Sequence, residues 1–405
     1  MSTSIPPGLL RDLPKTDLHV HLDGSLRLPT LLELAGEQGV ELPADSVEGL
    51  RETVFKDRYK DLPDYLAGFR YTVAVMQTEE ALERIARELA EDNLAENVRY
   101  LEVRFAPQLH LDQGLDMRRV LEAVSRGLAA ARDAHNHSDA VREGRDVPFH
   151  FGIIVCALRW FMPEMSAYYR SLFEVMPYAR EKSVFAAASL ELARAAVALR
   201  DREGLPIVGF DLAGAEYGNP AEDHRQAFMF AHRNFLRKTV HAGEAYGPES
   251  IFQALTDCHA DRLGHGTFLF SPDRVRHPSV HEPQRYVDQL VDSIAQRRIC
   301  IEVNLTSNLQ TLPELADIDR HPLRHMIAHN LSATICTDNR LVSHTTVTRE
   351  LELAVHAFDL DMESLRNLVV AGFKGSFFPG TYPEKRAFVR TVLNRIDHLE
   401  DAYSE

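Results

Sequence analysis

The 405-residue chain has only four cysteines, Cys156, Cys258, Cys300 and Cys336, and no two of them form a CxxC pair. Their wide spacing in apolar stretches argues against a disulfide framework or a cysteine-built metal knuckle. They are read as reduced core residues, the usage expected in the cytosol. No apolar run approaches the roughly 18 residues that a membrane span needs. The stretch Met1 to Asp12 lacks the basic start and apolar run of a signal peptide, so the expected location is the cytoplasm. Positive charge is short as well: 45 Lys and Arg against 60 Asp and Glu leave a formal net charge of -15. Such a surface repels phosphate backbones and anionic membranes and favours a neutral or cationic small substrate, so nucleic acid is not an expected partner. Internal repeats, low-complexity tracts and Gly/Ser linkers are missing too, and residues 1–405 are expected to form one domain.

What is present is a regular alternation. Eight short β-rich runs are separated by longer amphipathic stretches: Thr16 to Leu22, Arg99 to Phe105, His150 to Leu158, Ile207 to Asp211, Lys238 to Ala242, Asp261 to Gly264, Cys300 to Asn304 and Ser332 to Thr337. Several are nearly continuous in apolar residues, as strands buried on both faces are, and nearly every one runs into polar or glycine residues at its C-terminal end. Between them, Thr78 is placed to cap a helix whose first turn holds Glu79 and Glu80, with Leu82, Ile85 and Leu89 on one face. Ser183 to Glu203 predicts another helix, ended by Gly204 and Pro206. His135 to Arg145 reads as a polar surface excursion, and Asp361 to Tyr403 as helical cover for the barrel end. The alternation points to an α/β fold, a (β/α)8 TIM-type barrel with additional helices, whose chemistry belongs at the C-terminal ends of the strands.

At those ends stand His19, His21, His241, His265 and Asp338. Successive side chains alternate faces along a strand, so His19 and His21 point the same way and can hold one ion between them. An HxH pair alone is only moderately specific, because a lone histidine is usually solvent-facing or satisfied by a core hydrogen bond. His110, His135, His277, His281 and His398 are read as ordinary surface histidines. The whole constellation on one predicted face describes a metal site. Three histidines and an aspartate suit zinc with a position open for water, although iron or manganese can use similar ligands. Glu244, three residues after His241, can project beside the metal without binding it. Burial would raise its pKa and let it protonate the substrate atom that becomes more basic during attack.

Five linked motifs carry a family resemblance. Pro14-Lys15-Thr16-Asp17-Leu18-His19-Val20-His21-Leu22-Asp23-Gly24-Ser25, Asp211-Leu212-Ala213-Gly214, Thr239-Val240-His241-Ala242-Gly243-Glu244, Arg262-Leu263-Gly264-His265-Gly266 and Thr337-Asp338-Asn339 resemble those of the adenosine deaminase family, within the amidohydrolase superfamily. The resemblance implies one zinc ion per chain bound by His19, His21, His241 and Asp338, with His265 and Asp338 positioning and deprotonating the water. It implies a small-molecule purine nucleoside as partner, adenosine and 2′-deoxyadenosine first, converted to inosine products and ammonia. Glu244 would protonate N1 as hydroxide adds to C6. Gly214 matches the backbone N–H that meets N3, Asp23 and Gly24 match positions at the ribose, and His21 counts with the substrate contacts as well as the ligands. Leu62, Tyr65 and Phe69 resemble the helix that gates the family's pocket, while the same i, i+3, i+7 stripe also fits a plain core face.

One departure concerns recognition. Where the best-known members carry a second aspartate that contacts N7, this chain has Asn339. An amide donates to N7 without the protonation an aspartate needs, so Asn339 is expected to keep purine recognition and make it less sensitive to pH. At the rim, Leu158-Arg159-Trp160-Phe161 places the only tryptophan near the mouth, and Glu216-Tyr217 follow Gly214. These differences leave related 6-aminopurine substrates open: adenine, aminodeoxyfutalosine or an N6-substituted adenine nucleotide. Ring-opening metallohydrolases of the superfamily often carry a carboxylated lysine at the end of the fourth strand, where this chain has Asp211-Leu212-Ala213-Gly214. A non-catalytic binding protein on the same barrel could lose ligands or the acid, and none is missing. A deaminase of the other zinc fold needs a PCxxC pair that the chain lacks.

Overall fold

The computed structural model describes residues 5–60, 62–312, 315 and 317–404. Its eight strands are β1 (Lys15–His21), β2 (Val98–Phe105), β3 (His150–Leu158), β4 (Ile207–Ala213), β5 (Arg237–Ala242), β6 (Arg262–His265), β7 (Cys300–Val303) and β8 (Ala333–Ile335). Each pairs in parallel with the next in chain order, so the sheet curls into a TIM-type barrel, and every boundary falls within two residues of the expected one. The ring is completed at a single point, a parallel bridge between Val20 and Asp338, just beyond the end of β8.

Local signals explain the helices around it. Thr78 Oγ1 accepts the Ala81 N–H at 3.2 Å and caps the helix Glu79–Ala95, whose buried face includes Leu82, Ile85 and Leu89. The helix Glu181–Glu203 starts two residues before Ser183 and ends where Gly204 turns left-handed at φ 69°. The segment His135 to Arg145 stays at the surface but is largely helical: Met117–Asn136 runs into it and Asp139–Arg142 adds a further turn. All four cysteines are free and buried. Among the described residues no helix is long and apolar enough to cross a membrane.

The C-terminal cover is two helices, Met362–Gly375 and Tyr382–Ser404, and the link between them reaches the N-terminal end of the barrel. Phe377 packs there with Ile154 and Val208, and the Arg262 guanidinium stacks 3.6 Å from its ring centre. A side chain on Gly209 would meet the Phe377 ring at 2.9 Å, so this glycine makes room for it.

Two sequence readings need correction. Of the five histidines read as surface residues, His110 is fully buried, with Nδ1 3.1 Å from the Met76 carbonyl and its ring beside Phe105, and His135 is half-buried against the Val147 carbonyl; His277, His281 and His398 are exposed. A single backbone hydrogen bond is enough to keep an imidazole inside. The barrel interior is also less apolar than the strand sequences suggest, because Glu102, Arg104, Asp211, Arg262 and Glu302 are all buried in it. Arg104 donates to Asp211 at 2.9 Å and Glu302 at 2.8 Å, while Arg262 donates to Glu302 at 2.6 Å and Glu102 at 2.5 Å. Forked guanidiniums offset desolvation only where every charge has partners, which these strands supply from across the ring.

Candidate metal centre

Four side chains meet above that charged layer. The nearest nitrogen or oxygen of His19, His21, His241 and Asp338 all lie within 4.8 Å of one another. His241 Nε2 is 3.1 Å from His19 Nε2 and 3.2 Å from His21 Nε2, and Asp338 Oδ1 is 3.5 Å from each of those two nitrogens. Bonds of about 2.0–2.1 Å to one shared ion would separate the ligand atoms by roughly 3–4 Å, so the cluster fits a single metal ion that could keep a further position for water. His265 stays outside the four, which divides the expected constellation into a ligand set and a neighbour.

The layer beneath turns the imidazoles. His19 Nδ1 is 2.8 Å from Glu302 Oε2, and His241 Nδ1 is 3.1 Å from Asp211 Oδ2. Each carboxylate accepts a hydrogen bond from Nδ1–H, which fixes the proton there and leaves the Nε2 lone pair for an ion. Burial pushes both acids upward, but Arg104 and Arg262 outweigh it for Glu302, and His241 and Arg104 do so for Asp211, so both are held below the usual carboxylate range. Thr239 donates to the remaining Glu302 oxygen at 2.8 Å.

The ligands also join the barrel's ends through the main chain. Asp338 N–H donates to the His19 carbonyl and His21 N–H donates to the Asp338 carbonyl, both at 2.7 Å. Asp338 takes φ 62°, a left-handed conformation that costs an ordinary residue about 1–2 kcal/mol and that aspartate tolerates better than most. Ser307 donates to its Oδ2 at 2.5 Å, which leaves Oδ1 for the centre.

His265 is likewise left-handed, at φ 63°. Its Nδ1 receives the amide nitrogens of Asn304 at 3.2 Å and Asn308 at 3.0 Å, so the proton sits on Nε2. That Nε2 is buried without a partner, 3.7 Å from Glu244 Oε1. Burial pushes the Glu244 carboxyl up to about 8, and the Asp338 and Glu216 charges add to it against His241. Glu216, noted in the sequence only as a rim residue, has its buried carboxylate against the loop that carries Glu244.

The residues matched to a substrate pocket are partly gathered here. Gly214 follows β4 at φ 97°, a conformation that a side chain would strain. Asp23 is buried with Oδ1 unpartnered, and burial pushes its carboxyl up to about 7. Asn339 Oδ1 occupies the space a Gly24 side chain would need, 1.8 Å from its position. The amide nitrogen of Asn339 donates to the Tyr65 hydroxyl at 2.9 Å, and that hydroxyl is 2.8 Å from Ser343 Oγ. The expected stripe is split between two short helices, Leu62–Leu66 and Phe69–Val75. Tyr65 is buried among these polar groups, whereas Leu62 and Phe69 are half-buried against the main core. Trp160 packs with Phe161 and its neighbours beside the helix Ala167–Val175, and Arg159 donates to the His241 carbonyl at 2.6 Å.

The profile described as adenosine deaminase matches residues 14–395. The adenosine deaminase of Mycobacterium sp. (strain JLS) is 37% identical over 396 residues, covering 97% of this chain and 98% of that protein. The crystal structure of an Arabidopsis N6-mAMP deaminase superposes with a TM-score of 0.72 at 26% identity, covering 96% of this chain and 99% of that one. An adenine deaminase from Arthrobacter aurescens superposes with a TM-score of 0.70 at 23% identity, covering 95% and 99%, a likeness of fold.

Proposed function

Since the chain belongs to the adenosine deaminase family, we propose that it hydrolyses adenosine and 2′-deoxyadenosine to inosine products and ammonia, using one zinc ion held by His19, His21, His241 and Asp338. The observation that carries this reading is a buried carboxyl, Glu244, whose pKa is raised to about 8, facing the same centre as three imidazoles and a carboxylate. Zinc suits that donor set, and when bound it lowers the pKa of water enough to make hydroxide available near neutral pH.

The chain's own residues supply the rest. His265 Nε2–H and the Asp338 carboxylate hold the attacking water against C6, and Asp338 takes its proton. Glu244, protonated at neutral pH, gives a proton to N1 as C6 becomes tetrahedral. Asp338 then returns its proton to the amino group, the C6–N bond breaks and ammonia leaves, while the hydroxyl proton passes back to Glu244 as the C6 oxygen becomes the carbonyl. Gly214 offers its N–H to N3. Rotating the Asn339 amide would turn its N–H to N7 and let its oxygen accept from the Tyr65 hydroxyl.

Asp23 supports a nucleoside over a nucleotide. The charge acting on this carboxyl is that of Asp338, so a 5′-phosphate beside it would add another negative group. The likeness to an N6-mAMP deaminase keeps the second reading, an N6-substituted nucleotide, in the test. Ammonia release should be compared across adenosine, 2′-deoxyadenosine, adenine, adenine nucleotides and aminodeoxyfutalosine. The expected result is a kcat/KM for adenosine at least about tenfold above that for the nucleotides and the free base. A preference for a nucleotide, for adenine or for aminodeoxyfutalosine would overturn the assignment.

Asn339→Ala is expected to raise the KM for adenosine about tenfold, the loss of one hydrogen bond, with metal content unchanged. An unchanged KM and kcat/KM would remove Asn339 from recognition.

A further inference from the structure

Glu216 lies two residues beyond Gly214, in the loop after β4, and only 5% of its surface is exposed. Four consecutive backbone N–H groups of the loop after β5 converge on its carboxylate. Gly243 donates to Oε1 at 2.8 Å, and Glu244, Ala245 and Tyr246 donate to Oε2 at 3.1, 2.8 and 2.8 Å. Hydrogen bonds to an ionised acceptor are about twice as strong as neutral ones, and here one falls on Oε1 and three on Oε2.

The path these bonds hold is narrow. Gly243 takes φ 67°, and a side chain there would lie 2.6 Å from Ile251 Cδ1. The loop therefore turns tightly straight after β5, with its N–H groups facing inward. Glu244 is one of the four donors, so its main chain is pinned at the point from which its carboxyl reaches to 3.7 Å from His265 Nε2.

We propose that Glu216 is a positioning residue for the proton donor: by gathering the N–H groups of Gly243 to Tyr246 it aims Glu244 at the metal centre, and it ties the purine-facing loop of Gly214 to the acid-bearing loop. This rests on the deaminase reading. The reach of a carboxyl to N1 is a distance-critical step, and misplacement by about 1 Å can cost about 10²-fold in rate. In Glu216→Gln a single amide oxygen remains as acceptor, and an NH2 group confronts backbone donors. In Glu216→Asp the charge stays but retreats by one methylene.

The test measures kcat and KM for adenosine, zinc per chain, and inosine binding by calorimetry, which counts intact sites. Glu216→Gln should keep one zinc per chain, bind inosine stoichiometrically with affinity within about threefold, and lose about 10²-fold of kcat per site. Glu216→Asp should lose about tenfold and decides the matter if the glutamine variant does not fold. A kcat per site within threefold of wild type in the folded variant overturns the inference. So does a parallel loss of inosine binding, which would make Glu216 merely structural. Wild-type protein that releases no ammonia from any 6-aminopurine defeats the deaminase reading itself, whereas active wild type with fully active variants defeats only the role of Glu216.

Discussion

Glu244→Ala is expected to keep its zinc and lose about 10²-fold or more of kcat, the range for a positioned acid. The carboxyl stands 3.7 Å from His265 Nε2, outside the four-residue ligand cluster, so its removal leaves the metal's contacts intact. Its raised pKa gives the reaction a pH signature. Burial favours the neutral acid up to about pH 8, and only that form can donate to N1, so kcat/KM should fall as pH rises through that region. The residual activity of the alanine variant should lack this alkaline limb. Ammonia release per bound zinc, measured against pH, checks both statements, and full activity in Glu244→Ala would sink the assignment of the acid.

The other large effect belongs to the ligands. His241→Ala should reduce bound zinc from one per chain towards none and lower kcat/KM by at least about 10³-fold, since a metal contributes several kcal/mol to such a transition state. His241 sits between the other two imidazoles, 3.1 and 3.2 Å away, so its loss opens the middle of the cluster. Chelation of the wild type should have the same effect and added zinc should reverse it. Asp211→Asn is the graded control. It leaves the ligands in place but removes the carboxylate 3.1 Å from His241 Nδ1, and should weaken zinc binding by about 10–100-fold. Metal analysis of purified protein reads all three, and about two ions per chain in the wild type would contradict a mononuclear site.

The barrel and its ligands were legible in the sequence because both rest on local pattern. β3 ends where its apolar run ends, and His19 and His21 share a face by the geometry of a strand. What stayed hidden depends on residues distant in sequence. Glu302 sits in a strand of only four residues, Cys300–Val303, and nothing local distinguishes it from an ordinary acid. Its role arises from His19, 283 positions away, and from Arg104 and Arg262 on two other strands. Glu216 stood out in the sequence only as a rim residue for a related reason, since its partners are backbone amides, which no side-chain motif reveals. The stripe Leu62, Tyr65 and Phe69 matched a helical period, yet the helix breaks between Leu66 and Phe69. That break brings only Tyr65 to the polar site, because its hydroxyl finds Asn339 and Ser343.

The main-chain exchange between His19, His21 and Asp338 has a bearing on how the protein is made. His19 and His21 emerge from the ribosome roughly 300 residues before Asp338 does. Until then β1 has β2 along one side and, on the other, none of the bonds that Asp338 provides. A nascent chain can therefore carry three histidines and still lack the carboxylate that completes the centre. Loading of the metal would then mark a finished ring, and the site would gain its chemistry only once its architecture is closed.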